Sequence, residues 1–234
     1  MATMMDDTKA HEASVAARWA ELGPDQPVGR LARVIAIVNE RAAPVKARHE
    51  KRVNAVLQNP TMTTAAKIEA LWECIDEIGA IAAPHAACRK GCNHCCHVSV
   101  LITAQEAALI GKRIGVKPKP HKGVTQRGDI KASYANPCPF LKENACSIYA
   151  SRPLACRQQY NLDTDALLCE LVGDEGTKVP YFNLRDYQRA LVMMTMSRRE
   201  GIGRDPRSGR PVPVTVETVP DVGDIREFFP RGKT

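Results

Sequence analysis

Aromatic residues make up only 5% of this 234-residue chain. So sparse a set argues against an aromatic-rich β-sandwich and against a surface that stacks nucleic-acid bases. No apolar run approaches the ~18 residues that a membrane span needs. The opening stretch, Met1 to Ser14, carries Asp6 and Asp7 and has no apolar core, so it does not read as a secretory signal. Four catalytic signatures are missing: a Walker loop, a dinucleotide glycine fingerprint, His-Glu-x-x-His and Gly-x-Ser-x-Gly. The length fits one domain, or two small ones, with enough chain for a core. Apolar residues at 44% and charged residues at 25% make most of it globular rather than disordered.

Cysteine is abundant instead. The nine are Cys74, Cys88, Cys92, Cys95, Cys96, Cys138, Cys146, Cys156 and Cys169. An odd count without a visible export signal favours reduced thiols holding a metal over a disulfide framework, and a cytoplasmic location goes with that reading. Four of the thiols fall in Cys88-Arg-Lys-Gly-Cys92-Asn-His-Cys95-Cys96. Gly91 lets that loop turn tightly enough for thiolates to converge. Cys95 and Cys96 are adjacent and do not easily point at one tetrahedral ion, so one of them serves a second ion or is spare. Cys74 lies beside Leu71 and Ile78 on a helical face and reads as core packing.

The charge pattern follows the thiols. The chain carries a net +7, and residues 88–157 hold 12 Lys and Arg against 3 acids, so the rest carries −2. Cations lower the pKa of nearby thiols, and metal-bound cysteine is thiolate. A nucleic-acid footprint is disfavoured, because neither a recognition helix nor interleaved aromatics accompany the charge. Arg152 and Arg157 flank Cys156 as candidate cofactor-binding residues. They neutralise thiolates or donate hydrogen bonds to sulfur, with anion binding a lesser option. Tyr149 and Phe140 read as packing around the site, and Pro137, Pro139 and Pro153 as stiffeners of the ligand loops.

The expected class is mainly α, a small helical protein with an irregular cysteine-rich metal-binding module. Residues 1–29 read as a polar, loose or partly helical tail, with Gly23-Pro24-Asp25-Gln26-Pro27 near its end. Residues 30–87 read as a helical region: one helix bearing Leu31, Val34, Ile35 and Val38, an interruption at Pro44, and a second from about Val45 to Leu57. A third carries Ile68, Leu71, Trp72, Ile75, Ile78 and Ala82 behind a cap at Thr63 or Thr64. Residues 88–200 form the cysteine-cluster domain. It opens with a short strand at Val98–Ile102, a capping box Thr103-Ala104-Gln105-Glu106 and a helix to about Arg113. A Lys-, Pro- and Gly-rich loop over 115–133 follows, then a short helix from Asp163 or Thr164 through Val172. A long amphipathic helix from Asn183 to Arg199 closes the domain. Residues 201–234 read as an extended tail, the alternation of Val212, Val214 and Val216 allowing a short edge strand.

Taken together, Cys-x3-Cys-x2-Cys-Cys, Cys138-Pro-Phe-Leu and Cys146-x-Ile-Tyr-x2-Arg-Pro-x2-Cys156-Arg resemble the YkgJ-type cysteine-cluster proteins, a family named for zinc or iron chelation. The resemblance covers about Cys88 to Glu170. It implies that Cys88, Cys92, Cys95, Cys96, Cys138, Cys146 and Cys156 are the cluster cysteines. Some members resemble this chain further, at positions that are Asn161, Asp163, Cys169 and Glu170 here. Eight candidate ligands result, Cys88, Cys92, Cys95, Cys96, Cys138, Cys146, Cys156 and Cys169, with the ligation of Cys96 and Cys169 left open by the pattern. They suffice for two four-coordinate zinc sites, or for one iron–sulfur cluster plus extra thiols. His94 and His97 could each replace a thiolate.

Two function classes follow. The first is an accessory metal-binding protein holding zinc or an iron–sulfur cluster, whose role beyond metal binding and whose protein partner the sequence does not name. The second is an iron–sulfur enzyme using S-adenosylmethionine. Cys88-x3-Cys92-x2-Cys95 has the radical-enzyme spacing, and flagellin lysine N-methylases contain a region similar to this pattern. The radical fold is a βα barrel, whereas helices precede the loop here, so the first class is preferred.

Overall fold

The computed structural model describes residues 2–23, 29–89, 91–126, 129–172, 175–176, 179–180 and 184–231. Residues Pro24 to Pro27 and Asn183, which belong to the expected tail and helix, lie outside them. Three long helices come first: α1 (Ala2–Leu22), α2 (Arg30–Gln58) and α3 (Thr64–Ala82). Helix α1 is a full helix of 21 residues where a loose or partly helical tail was expected. Trp19 and Val15 pack against the core and Leu22 is fully buried, so its few apolar residues make one stripe that the polar composition hides. Helix α2 runs unbroken through Pro44. The proline removes one hydrogen bond and usually ends a helix. Here Leu31, Val38, Ala42 and His49 continue one buried face across it, so tertiary packing overrides the local preference.

Helix α3 is the centre of the molecule. The Thr63 hydroxyl accepts from Ala66 N and fixes its start. Ile68, Leu71, Ile75 and Ile78 are completely buried, each contributing roughly 2 kcal/mol of transfer free energy. Against α3 pack α2 and three later helices, α4 (Ala104–Ile114), α5 (Leu154–Arg157) and α6 (Arg185–Thr195). Cys74 is part of this core.

Among the described residues the strands form antiparallel pairs: β1 (Leu101–Thr103), β2 (Leu141–Lys142) with β3 (Ala145–Cys146), β4 (Leu171–Val172) with β5 (Glu175–Gly176), β6 (Ser197–Arg204) with β7 (Pro211–Thr218), and β8 (Val222–Asp224), which returns to β1 and makes one parallel bridge from Val222 to Val124. Helix α7 (Ile225–Phe228) follows. The molecule is mainly α.

The C-terminal third departs most from expectation. Helix α6 stops at Thr195, and residues 197–218 form a hairpin in the register Ser197↔Thr218 to Arg204↔Pro211. Its turn is made by Asp205, whose Oδ1 accepts from Arg207 N, Ser208 N and Ser208 Oγ, with Gly209 at φ +67°. The chain then comes back into the core. Leu101 pairs with Asp224, and Ile225, Phe228 and Phe229 are buried. An extended tail would have left those three side chains in water. The short helix expected through Val172 is a single 3-10 turn, Leu167–Cys169, leading into β4.

Candidate metal centre

Five segments carry the eight thiols to one region. The first is the 88–97 loop. Cys92 N donates to Arg89 O at 3.0 Å, and Gly91 takes φ +91°, a left-handed conformation that glycine adopts without strain. A 3-10 turn, His94–His97, then holds Cys95 and Cys96, with Cys96 N donating to Asn93 O at 2.8 Å. The second segment enters at Cys138, whose N–H donates to Cys96 O at 2.7 Å. The third is the β2–β3 hairpin. Glu143 and Asn144 both have positive φ, at 48° and 58°, as a two-residue turn of this handedness requires. That turn sets Cys146 opposite Leu141, and Asn93 Nδ2 donates to Asn144 Oδ1 at 2.9 Å, tying the hairpin to the first loop.

Cys156 rides on the fourth segment, α5. The first N–H of that helix, Leu154 N, donates to Glu106 Oε1 at 2.7 Å, and Trp72 Nε1 donates to the same oxygen at 2.9 Å. Glu106 therefore does not close the expected capping box. Thr103 does cap α4, accepting from Glu106 N at 3.1 Å, but the Glu106 side chain turns inward and is wholly buried. The fifth segment brings Cys169. Asn161 Nδ2 donates to Cys169 Sγ at 3.2 Å, and Asn161 N donates to Cys88 Sγ at 3.3 Å.

The thiols act chiefly on one another. Cys96 donates a hydrogen bond to Cys95, which lowers the Cys95 thiol and raises its own, so the adjacent pair gives up a first proton readily and a second with difficulty. Burial raises Cys156, and the thiolates of Cys95, Cys138 and Cys146 raise it further. Cys96 feels Cys95, Cys138 and Cys156. Burial pushes Cys169 up to about 12, reinforced by Cys88, Cys92 and Cys95. Cys88 is raised by burial and by Cys95 and Cys92. Cys95 is the thiol most widely shared: it acts on Cys96, Cys156, Cys146, Cys88 and Cys169.

Arg152 is the cation common to these thiols, favouring the ionised forms of Cys88, Cys95, Cys146 and Cys156. Its guanidinium lies 4.1 Å above the Tyr149 ring, and its Nε is buried without a hydrogen-bond partner. Tyr149 itself is 63% exposed, so it shields Arg152 rather than packing inside the site. Arg157 faces elsewhere. Its Nε and Nη2 donate to Arg152 O and Ala150 O at 2.8 and 2.6 Å, Nη1 pairs with Asp76, and the plane lies 4.5 Å from the Trp72 ring. Those bonds occupy it as a clamp between α3 and the loop before Cys156. Phe140 packs on Phe229 at 5.1 Å.

His94 Nδ1 lies 3.4 Å from the Tyr134 hydroxyl. His97 is 7% exposed, its ring lies 4.8 Å from that of Tyr134, and its Nδ1 is buried without a partner. Sequence reasoning missed the far side of the loop. Arg226 donates to Cys96 O, Val98 O and Asn136 O, and Arg231 donates to Cys138 O, so the returning C-terminal segment holds the back of the cysteine loops.

Among the described residues, no three His, Cys, Asp or Glu side chains already stand in a geometry that holds an ion. The thiols share a region without forming a ready-made shell. The donor chemistry nevertheless fits a soft-ligand metal. Seven of the thiols have raised or coupled acidities, with Arg152 acting on four of them, and a cation among them would let so many ionise together.

Residues 87–175 match the family model CxxCxxCC, described as "Putative zinc- or iron-chelating domain". The match spans a little over a third of the chain and contains all eight clustered cysteines together with Asn161 and Asp163. Helices α1 to α3 and the C-terminal hairpin lie outside the matched segment. No curated protein and no solved structure matches the chain. No helix among the described residues is long and apolar enough to cross a membrane.

Proposed function

We propose that this chain is a metal-binding protein whose CxxCxxCC domain holds zinc or iron through Cys88, Cys92, Cys95, Cys96, Cys138, Cys146, Cys156 and Cys169. The observation that carries the reading is the mutual electrostatic contact of thiols arriving from five separate segments. Each buried thiolate raises its neighbours, so most of these thiols stay protonated without a cation to hold them ionised together. Eight thiols suffice for two tetrahedral ions, and with Cys95 and Cys96 on different ions the difficulty of the adjacent pair is removed. An iron–sulfur cluster on four of the thiols uses the same donors. Arg152 acts as the charge-balancing residue beside the sulfurs, and Arg157 as a support for the loop that carries it. Metal would join the loops of the domain to one another and add binding free energy to folding. Reduced thiols in this number belong in the cytoplasm.

The alternative of an enzyme using S-adenosylmethionine finds no support in the fold. A radical-enzyme barrel needs parallel strands joined by helices, and the sheets among the described residues are antiparallel pairs. The deciding experiment is elemental analysis and absorption of anaerobically purified protein, repeated for Cys156→Ser. A colourless zinc protein, or a brown one absorbing near ~400 nm from sulfur-ligated iron, supports the proposal if the serine variant loses metal. Protein that carries no metal and takes up neither zinc nor iron overturns it.

A further inference from the structure

Asn161 uses its whole hydrogen-bonding capacity in one place. It is 3% exposed. Its Oδ1 accepts from Asp163 N at 3.0 Å, a partner that can only donate. Its Nδ2 donates to Asp165 O at 3.1 Å, a partner that can only accept, which fixes the amide orientation. The second proton on Nδ2 is left for Cys169 Sγ at 3.2 Å, while the backbone N–H goes to Cys88 Sγ at 3.3 Å. The carbonyl takes Ala87 N at 2.8 Å, next to Cys88 in the chain. One residue thereby fixes the spacing of two sulfurs that are 81 positions apart in sequence.

The same loop continues into a buried ion network. The Asp163 side chain is fully buried. Its Oδ2 accepts from Arg18 Nη1 at 2.8 Å and its Oδ1 from Arg30 Nη2 at 2.7 Å. Arg18 also takes both oxygens of Asp165, at 3.0 and 2.9 Å. Further along α1, His11 Nδ1 lies 3.7 Å from Glu170, the neighbour of Cys169. The polar anchors of α1 at both positions therefore fall on the segment 163–170, which follows Asn161 and contains Cys169.

We infer that Asn161 is a positioning residue for the Cys88–Cys169 pair, and that through Asp163 it links metal binding at this pair to the docking of helix α1. The inference rests on the metal-binding reading above and goes beyond it in assigning a second function to the 161–165 loop. N–H donors to sulfur stabilise the charge that a metal-bound thiolate retains, and such outer partners typically change metal affinity by 10–100-fold. Linkage is reciprocal: whatever factor metal adds to the docking of α1, docking adds to metal affinity.

The test uses cobalt(II) alone as the probe, titrated into reduced full-length protein and followed by its thiolate charge-transfer absorption. Four chains are compared: wild type, Asn161→Ala, Cys169→Ser and the double variant. The expected result is a loss of roughly 10–100-fold in affinity for one bound cobalt in Asn161→Ala. The double variant should be no weaker than Cys169→Ser alone, because both substitutions remove the same contact. Additive losses would mark Asn161 as a general structural residue and overturn the assignment. Hydrogen exchange supplies the second readout. Cobalt should increase protection of α1 in wild type, and Arg18→Gln should abolish that increase while weakening cobalt binding. If Asn161→Ala also strips protection from α3, Arg18→Gln carries the test, since it leaves every bond of Asn161 in place. Unchanged cobalt affinity in Arg18→Gln, with α1 indifferent to metal, overturns the linkage. Wild type that binds no cobalt at all would instead bring down the metal-binding reading itself.

Discussion

Glu106 occupies the third position of α4, where a carboxylate ordinarily turns back to the helix N-terminus. Instead it accepts from Trp72 and Leu154, and its second oxygen is buried without a partner. Burial raises it from the ordinary 4.5 to about 7, only partly offset by those hydrogen bonds and by Arg157. Between these two values the unfolded chain is ionised and the folded chain still holds the proton, so stability falls as pH rises from about 4.5 to 7. The difference corresponds to roughly 3 kcal/mol. Glu106→Gln keeps an acceptor for Trp72 and Leu154 and has no proton to lose. Urea unfolding at pH 5 and pH 8 should show a fall for wild type and a flat profile for the variant. Equal slopes would mean that Glu106 is not the titrating group. The buried role of this residue was not legible in the sequence, because the Thr-x-x-Glu pattern has a sufficient local explanation. The thiols were legible, since four of them within nine residues have no other ready account.

Among the elements, α3 shows how tightly the core supports the thiol-bearing loops. A Cβ added at Gly79 would lie 2.1 Å from the Tyr160 hydroxyl, so glycine at this helical position allows Tyr160 to cross close to the backbone. Gly79→Ala gains helix propensity of about 1 kcal/mol and incurs overpacking of typically 1–3 kcal/mol. The net expectation is a lower thermal midpoint, and it should be accompanied by weaker metal binding, because Tyr160 adjoins the 161–165 loop. A higher midpoint in circular dichroism would refute this packing argument. The apolar face of α3 was readable from its 3.6-residue period, as was the capping threonine. Helix α1 was not, because its stripe of Val15, Trp19 and Leu22 is thin and its anchors, Asp163 and Asp165, lie far along the chain. The β6–β7 hairpin left a weak signal in Asp205-Pro206-Arg207-Ser208-Gly209, a turn sequence between two stretches, of which the first, Ser-Arg-Arg-Glu-Gly-Ile-Gly-Arg, has Ile202 as its single strand-forming residue.

At the scale of the molecule, a helical core built on α3 carries an irregular domain whose loops have little apolar area of their own. The returning segment β8–α7 and the arginines Arg226 and Arg231 brace the loops from one side, and the Asn161–Asp163–Arg18 chain braces them from the other. Removal of metal should therefore lower hydrogen-exchange protection over residues 88–97 and 138–172 and in α1, while α3 keeps its own. Uniform loss across the chain would contradict that division, and so would loss confined to the thiol loops with α1 unaffected. The count of eight thiols was within reach of the sequence. Their gathering was not, because it depends on the Cys138 N–H reaching Cys96 O, on the β2–β3 turn and on Asn161 drawing Cys169 back to Cys88.

The central claim is that the clustered thiols hold metal and that Cys74 does not. Metal per chain, measured by elemental analysis on anaerobically purified wild type, Cys74→Ser, Cys92→Ser and Cys156→Ser, tests it most directly. Two tetrahedral sites predict about two zinc ions per chain, and an iron–sulfur cluster predicts iron with matching sulfide. Either way Cys74→Ser should retain the full complement, and Cys92→Ser and Cys156→Ser should each lose much of it. Metal content that is negligible in wild type and stays so after reconstitution with zinc or iron, or that is unchanged in Cys92→Ser and Cys156→Ser, would contradict the account.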